Sequence, residues 1–235
     1  MVDELGDVQD ARRLIEGARC VLFDFDGPIC RLFPKGRSAP LADELRRLAV
    51  TFGAGKVLTD AERQDIDPHV VLRAVHRARH DTDVRLPALM EERLTAGERA
   101  AAEVAWPTPH AADLVRRLAG RGHRLAIVTN NSAEAARLYL SRAGLLGQFE
   151  AIQGRTADPG LMKPDPDVLC RALGSLGLGP GDAVMIGDSG TDVQAARNAG
   201  SAFIGFGRNE RKVRGLRQAG ASVVVSSYHP LLQDD

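Results

Sequence analysis

The sequence predicts an α/β fold: a doubly wound parallel sheet interrupted by an all-helical insertion. Three observations predict it. Short apolar runs recur along the chain, amphipathic stretches lie between most of them, and one long segment carries helical patterning with no strand run. Apolar runs that are continuous, not alternating, mark strands covered on both faces. Strand, helix and strand in succession then imply parallel neighbours.

The strand runs fall at 20–23, 125–128, 183–186, 202–206 and 222–225, with a weaker one at 149–152. Helices are expected over 111–119, where Leu114, Val115 and Leu118 share a face, and over 133–143, 166–176 and 192–199. Gly200 is placed to stop the last of these. Residues 31–106 differ. The stretches 42–50, 68–79 and 86–104 are rich in Leu, Ala, Arg and Glu, and no strand is expected among them. This divides the chain into a core of 1–30 and 107–235 and a helical cap of 31–106. Trp106 and Pro107 read as the hinge between them. Segments 33–40 and 158–166 are Pro- and Gly-rich loops.

Composition sets the limits on function. A chain of 235 residues holds one domain with a sizeable insertion. Its formal net charge is zero, which gives no general attraction to nucleic acid or anionic membrane. No stretch approaches the roughly 18 apolar residues of a membrane span, and the first twenty residues lack the apolar segment of a signal peptide. Cys20, Cys30 and Cys170 form no metal-binding spacing and suit a reducing compartment. The expectation is a cytoplasmic protein.

Four short motifs carry candidate chemistry. The first strand runs into Asp24-Phe25-Asp26-Gly27-Pro28, two carboxylates at i and i+2 beyond a strand end, where parallel sheets place ligands. Such a pair can hold a hard cation or divide the roles of nucleophile and general acid, and it can equally be a plain turn. The second strand ends in Thr129-Asn130-Asn131-Ser132, either an anion site or a simple helix cap. Lys163-Pro164 offers a cation between loop and helix. Gly187-Asp188-Ser189-Gly190-Thr191-Asp192 puts two carboxylates at i and i+4 on a strand-to-helix turn, within reach of one metal centre.

Taken singly, each has an ordinary structural explanation. Taken together, in this order and at these strand ends, Asp24-x-Asp26-Gly27, Thr129, Lys163-Pro164 and Gly187-Asp188-Ser189-x-x-Asp192 resemble the four signature motifs of the haloacid dehalogenase-like hydrolases. More narrowly, they are similar to phosphoglycolate phosphatase-like members, with a Rossmann-like core and a helical cap after the first motif. The resemblance covers about 19–30 and 106–226; the cap matches only in position, length and helical character. It implies a magnesium-dependent phosphatase of a small phosphorylated metabolite. Asp24 is then the nucleophile that becomes an aspartyl phosphate, and Asp26 the acid and then the base. Thr129 and the Asn130 N–H hold phosphoryl oxygens, and Lys163 balances charge. Asp24, the Asp26 carbonyl and Asp188 bind Mg2+, with Asp192 reaching it through water. A phosphomutase with the same core, or a non-catalytic phosphate-binding module, remains as an alternative. A dehalogenase would not need Asp26. Pro28 departs from the Thr or Val usual after Gly27, which puts the loop that signals cap opening in question.

The insertion carries two further features. His69, His76 and His80 fall on or beside one cap helix at spacings that permit zinc binding, but a solvated face is the expectation. Arg73, Arg77 and His80 make that face basic, which would attract phosphorylated substrates or be ordinary surface.

Overall fold

The computed structural model describes residues 4–78 and 83–233. A helix α1 (Glu4–Glu16) precedes the first strand, β1 (Cys20–Phe23). After the insertion come α6 (Ala111–Gly120), β4 (Arg124–Val128), α7 (Ala133–Arg142), β5 (Ala151–Gln153) and α8 (Asp167–Ser175). The chain closes with β6 (Ala183–Gly187), α9 (Gly190–Ala199), β7 (Ala202–Phe206), α10 (Glu210–Gln218) and β8 (Val224–Val225). The six strands pair in parallel in the order β5-β4-β1-β6-β7-β8. β1 is central, with Leu22 opposite Ala126 on one side and Met185 on the other.

The continuous apolar runs have a direct cause in this packing. Alternate residues of each inner strand enter different cores. Val21, Phe23, Leu125, Ile127, Val184 and Ile186 pack with α1, α6 and α7. Cys20, Leu22, Ala126, Val128, Ala183 and Met185 pack on the other face with α8 and α9. A strand buried on both faces has no polar face to show.

The insertion is helical as expected: α2 (Ala39–Thr51), α3 (Asp60–Gln64), α4 (Pro68–Arg77) and α5 (Leu86–Glu103). Leu41, Leu45, Val71, Val75, Met90 and Leu94 belong to an apolar cluster of its own. One expectation fails here. Cys30–Arg31 (β2) and Trp106–Pro107 (β3) form a two-residue antiparallel ribbon where the insertion leaves and re-enters. Two residues are too few to show a strand period. The ribbon lies at the expected hinge, and the Arg31 guanidinium covers the Trp106 ring at 5.2 Å.

α1 and α10 were not anticipated. Both are rich in charged residues and bury few apolar ones; in α10 only Leu216 is buried. β5 starts two residues later and ends one residue later than the expected 149–152, and β8 is shorter than 222–225. His80 and Arg79 lie outside the described residues. No helix among the described residues is long and apolar enough to cross a membrane. The three cysteines are free, Cys20 and Cys30 buried and Cys170 exposed.

Candidate active site

The four motifs meet in one cleft of about 470 Å³ at the carboxyl ends of β1, β4 and β6, with the insertion above it. Asp24, Asp26, Thr129, Asn130, Lys163, Asp188 and Asp192 all line it. A parallel sheet brings this about through topology alone: β1 is flanked by β4 and β6, so their carboxyl-end loops are neighbours.

Lys163 organises the centre. Its side chain is 2% exposed, and its ammonium lies 2.9 Å from Asp24 Oδ1, 2.6 Å from Asp192 Oδ1 and 3.0 Å from the Val128 carbonyl. Two carboxylates and a carbonyl thus surround the ammonium within 3.0 Å, which fixes the charge in place. Burial works against the ammonium, but Asp192 and Asp24 outweigh it and hold Lys163 above the usual lysine range. The loop carrying it is stapled to the β4 loop. Asn130 Oδ1 accepts from the Lys163 N–H at 2.7 Å, and Asn130 Nδ2 donates to the Lys163 carbonyl at 3.2 Å. The Asn130 side chain is therefore occupied with Lys163. The Lys163–Pro164 peptide is cis.

Asp24 is held by one oxygen. Oδ1 accepts from Lys163 and from the Phe25 N–H at 2.8 Å; Oδ2 has no hydrogen-bond partner among the described residues. Burial pushes its carboxyl up to about 6 against the pull of Lys163, with Asp192 and Asp188 adding to the rise. Asp26 Oδ1 accepts from the Leu32 N–H at 2.8 Å, and burial raises this carboxyl too to about 6. The turn between them depends on Gly27. Its φ is +119°, and a Cβ there would sit 2.4 Å from the Asp188 carboxyl carbon. The Gly27 carbonyl accepts from the Thr108 hydroxyl at 2.6 Å, and the Gly27 N–H donates to Cys30. The bonds that close this turn run from the Gly27, Ile29 and Cys30 N–H groups and form with Pro28 in place.

Asp188 faces Lys212 of α10, whose ammonium is 2.9 Å from Oδ2 and 3.0 Å from the Asp188 carbonyl. Burial still pushes Asp188 up to about 6. Asp192 closes a capping box with Ser189 at the start of α9: Oδ2 accepts from the Asp188 and Ser189 N–H groups and the Ser189 hydroxyl. Asp24, Asp188 and Asp192 bring carboxylate oxygens within 4.8 Å of one another, the one group of metal-ligand type among the described residues.

Sequence reasoning did not find the charges that join insertion to core. His69 is not on a solvated face. It is partly buried, with Nδ1 2.9 Å from Asp67 and Nε2 3.1 Å from Glu98, and it lines the cleft. His76 instead meets Asp158 at 2.9 Å, so the two histidines share no ligand site. Arg77 is exposed and pairs with Glu62, while Arg73 donates to the Lys163 carbonyl. Glu98 is fully buried, and so is the side chain of its partner Arg155. A signal for Glu98 exists: Leu86, Met90, Leu94, Glu98 and Ala102 recur every four residues along α5, which puts a carboxylate on the buried stripe. Lys212 carried no such signal.

The fold and this acid-lined, lysine-centred cleft define a Rossmann-like hydrolase core. A family model for haloacid dehalogenase-like hydrolases matches residues 18–200, and the chain belongs to that family. It is 31% identical to a phosphoglycolate phosphatase of Caulobacter vibrioides over 144 residues, 60% of this chain and 59% of the relative. It is 36% identical to one of Rhodospirillum rubrum over 126 residues, 52% of this chain and 50% of the relative. The chain thus spans between half and three fifths of the length of these two relatives. In fold it is similar to a predicted phosphatase from Clostridium acetobutylicum, at TM-score 0.64, 22% identity and coverage of 90% of this chain and 95% of that one. CbbY from Rhodobacter sphaeroides, solved in complex with phosphate, gives TM-score 0.63 with the same identity and coverage.

Proposed function

We propose that the protein is a magnesium-dependent phosphatase of a small phosphorylated metabolite, working through an aspartyl phosphate on Asp24. The observation that carries this is the state of Asp24: one oxygen pinned by Lys163 and a main-chain N–H, the other without a partner, in a cleft it shares with a second carboxyl. Asp24 Oδ2 attacks phosphorus and the bond to the leaving oxygen breaks. Asp26 gives that oxygen its proton. Asp26 then takes a proton from water, which attacks phosphorus and releases phosphate and free Asp24. A carboxyl near 6 is suited to both transfers around neutral pH. The Asn130 N–H and the Thr129 hydroxyl, once its proton turns from Asn131, would hold phosphoryl oxygens. Lys163 offsets the charge of two anions brought together.

The residues fit a divalent cation. Among the described residues Asp24, Asp188 and Asp192 form ion pairs only with Lys163 and Lys212, and burial, with the carboxylates' own repulsion, raises Asp24, Asp26 and Asp188 to about 6, so a bound cation would offset charge that these lysines leave. Asp24, Asp188 and the Asp26 carbonyl would hold Mg2+, with Asp192 outside them because its oxygens are taken by Lys163 and by the cap of α9. Bound there, the ion neutralises charge on the transferring group and aligns it.

Residues 31–106 act as a cap on a core of 1–30 and 107–235, and select the substrate. Support comes from Asp67, Pro68 and His69, which bring the insertion into the cleft wall. The curated relatives named above make phosphoglycolate the first ester to try. The test is phosphate release from phosphoglycolate, p-nitrophenyl phosphate, sugar phosphates and nucleotides, with magnesium and with chelator. Magnesium-dependent release that Asp24→Asn abolishes without unfolding is expected. An Asp24→Asn protein as active as wild type refutes the nucleophile. Isomerised sugar phosphate without free phosphate makes the protein a mutase.

A further inference from the structure

Glu98 is the charge hardest to account for by folding alone. It belongs to the inserted helix α5, yet its carboxylate meets donors from the core loop that follows β4. Asn131 Nδ2 donates to Oε1 at 3.0 Å, and the Ser132 N–H donates to Oε2 at 2.8 Å. Arg155 Nη1 lies 2.7 Å from each oxygen, and His69 Nε2 lies 3.1 Å from Oε1. Asn131 passes the constraint on. Its Oδ1 accepts from the Thr129 hydroxyl at 3.1 Å, and its N–H donates to the same hydroxyl oxygen at 3.1 Å. A carboxylate only accepts, so Glu98 must take the amide NH2 of Asn131 and leave its carbonyl oxygen to Thr129. The Thr129 hydroxyl, its single proton given to Asn131, is thereby tied to a residue of the insertion, and a phosphoryl oxygen would take that proton over.

We propose that Glu98 is a positioning residue, a latch that shapes the loop from Thr129 to Ser132 for the phosphoryl group; the inference rests on the phosphatase reading. A carboxylate beside an anion site would ordinarily repel the substrate. Here Arg155 and His69 offset its charge, and its effect on the loop is exerted through donors it holds in place. The latch is formed only when the insertion sits on the core as seen here. Closure and phosphate binding therefore favour one another, because both need the same loop conformation.

The test compares Glu98→Gln with Glu91→Gln. Glu91 pairs with the same Arg155 but touches no part of the loop. Three quantities are read: kcat and KM for p-nitrophenyl phosphate, inhibition by inorganic phosphate, and amide hydrogen exchange over 129–132. Glu98→Gln is expected to lower kcat/KM and phosphate affinity by about tenfold or more and to speed exchange in the loop, while Glu91→Gln changes each less than about twofold. Asn131→Ala, which leaves Glu98 its two cations, should give the same losses. The double variant should be no worse than the poorer single one. If Glu98→Gln fails to fold, Asn131→Ala decides by the same readouts. Phosphate affinity and kcat/KM kept by a folded Glu98→Gln protein overturn the proposal, even if exchange rises. A wild-type protein that hydrolyses none of the esters defeats the phosphatase reading instead. Phosphate affinity and loop exchange then judge the latch, and no change in either overturns it.

Discussion

Replacing His69 by Gln should destabilise the protein at pH 6 and scarcely at pH 9.5. Both ring nitrogens face carboxylates, Asp67 at 2.9 Å and Glu98 at 3.1 Å. A neutral imidazole has one N–H and would turn a lone pair toward one of them; the imidazolium satisfies both. Burial alone would lower the ring's pKa, but Asp67 and then Glu98 outweigh it and hold it at about 9. The unfolded value is about 6.5. A group raised on folding contributes stability that is fully present below its unfolded pKa and lost as pH rises through its folded one. The window is therefore 6.5 to 9. The interval corresponds to about 3 kcal/mol at about 1.4 kcal/mol per pH unit. The side chain is 14% exposed, so solvent screens little of it. Urea unfolding of wild type and His69→Gln at the two pH values measures the difference directly, and groups common to both chains cancel. A penalty of about 3 kcal/mol at pH 6 that falls below about 0.5 kcal/mol at pH 9.5 is expected. An equal penalty at both values would falsify the charged imidazole.

Three other predictions follow from single contacts. Arg155→Met leaves Glu98 buried with only His69, Asn131 and Ser132, so the cost should fall at the low end of the about 3–5 kcal/mol for breaking a buried pair. At about 2–4 °C per kcal/mol, Tm drops by roughly 6–12 °C; a drop under about 2 °C in a thermal melt contradicts it. Gly27→Ala places a methyl group 2.4 Å from the Asp188 carboxyl at a φ of +119°, so magnesium affinity by calorimetry should fall by about tenfold or more, and an unchanged affinity removes Asp188 from the cation site. Lys163→Met removes the charge between Asp24 and Asp192, and turnover should fall by about a hundredfold or more; a loss under about threefold shows that Lys163 is structural only.

The sheet and its order of helices were legible because their signals are local. Val21, Leu125 and Val184 sit in runs whose apolarity on both faces announces a central parallel strand. Elements whose stability comes from elsewhere left no such trace. α10 buries only Leu216 and is rich in charge, so its helix follows from docking and from its Asn209 cap, not from an apolar stripe. The β2–β3 ribbon is two residues long and exists because the insertion must leave and return at one point.

The same division runs through the site. Asp24, Thr129, Lys163 and Asp188 lie within a few residues of strand ends, and a parallel sheet gathers strand ends without help from side chains. Glu98 and Arg155 lie 57 positions apart, and no local rule joins them. Composition hides them, since α5 also carries Glu91, Glu92 and Glu103, and Arg is abundant throughout. What separates Glu98 from its neighbours is its place on the stripe of Leu86, Met90, Leu94 and Ala102. A lone carboxylate on a buried stripe must find cations, or it would remain protonated. It finds Arg155 from the core and His69 from the insertion, and its own pKa is held down at about 2 by them against burial. The charge that looks most out of place on the helix is thus the one that ties the insertion to the loop beneath it.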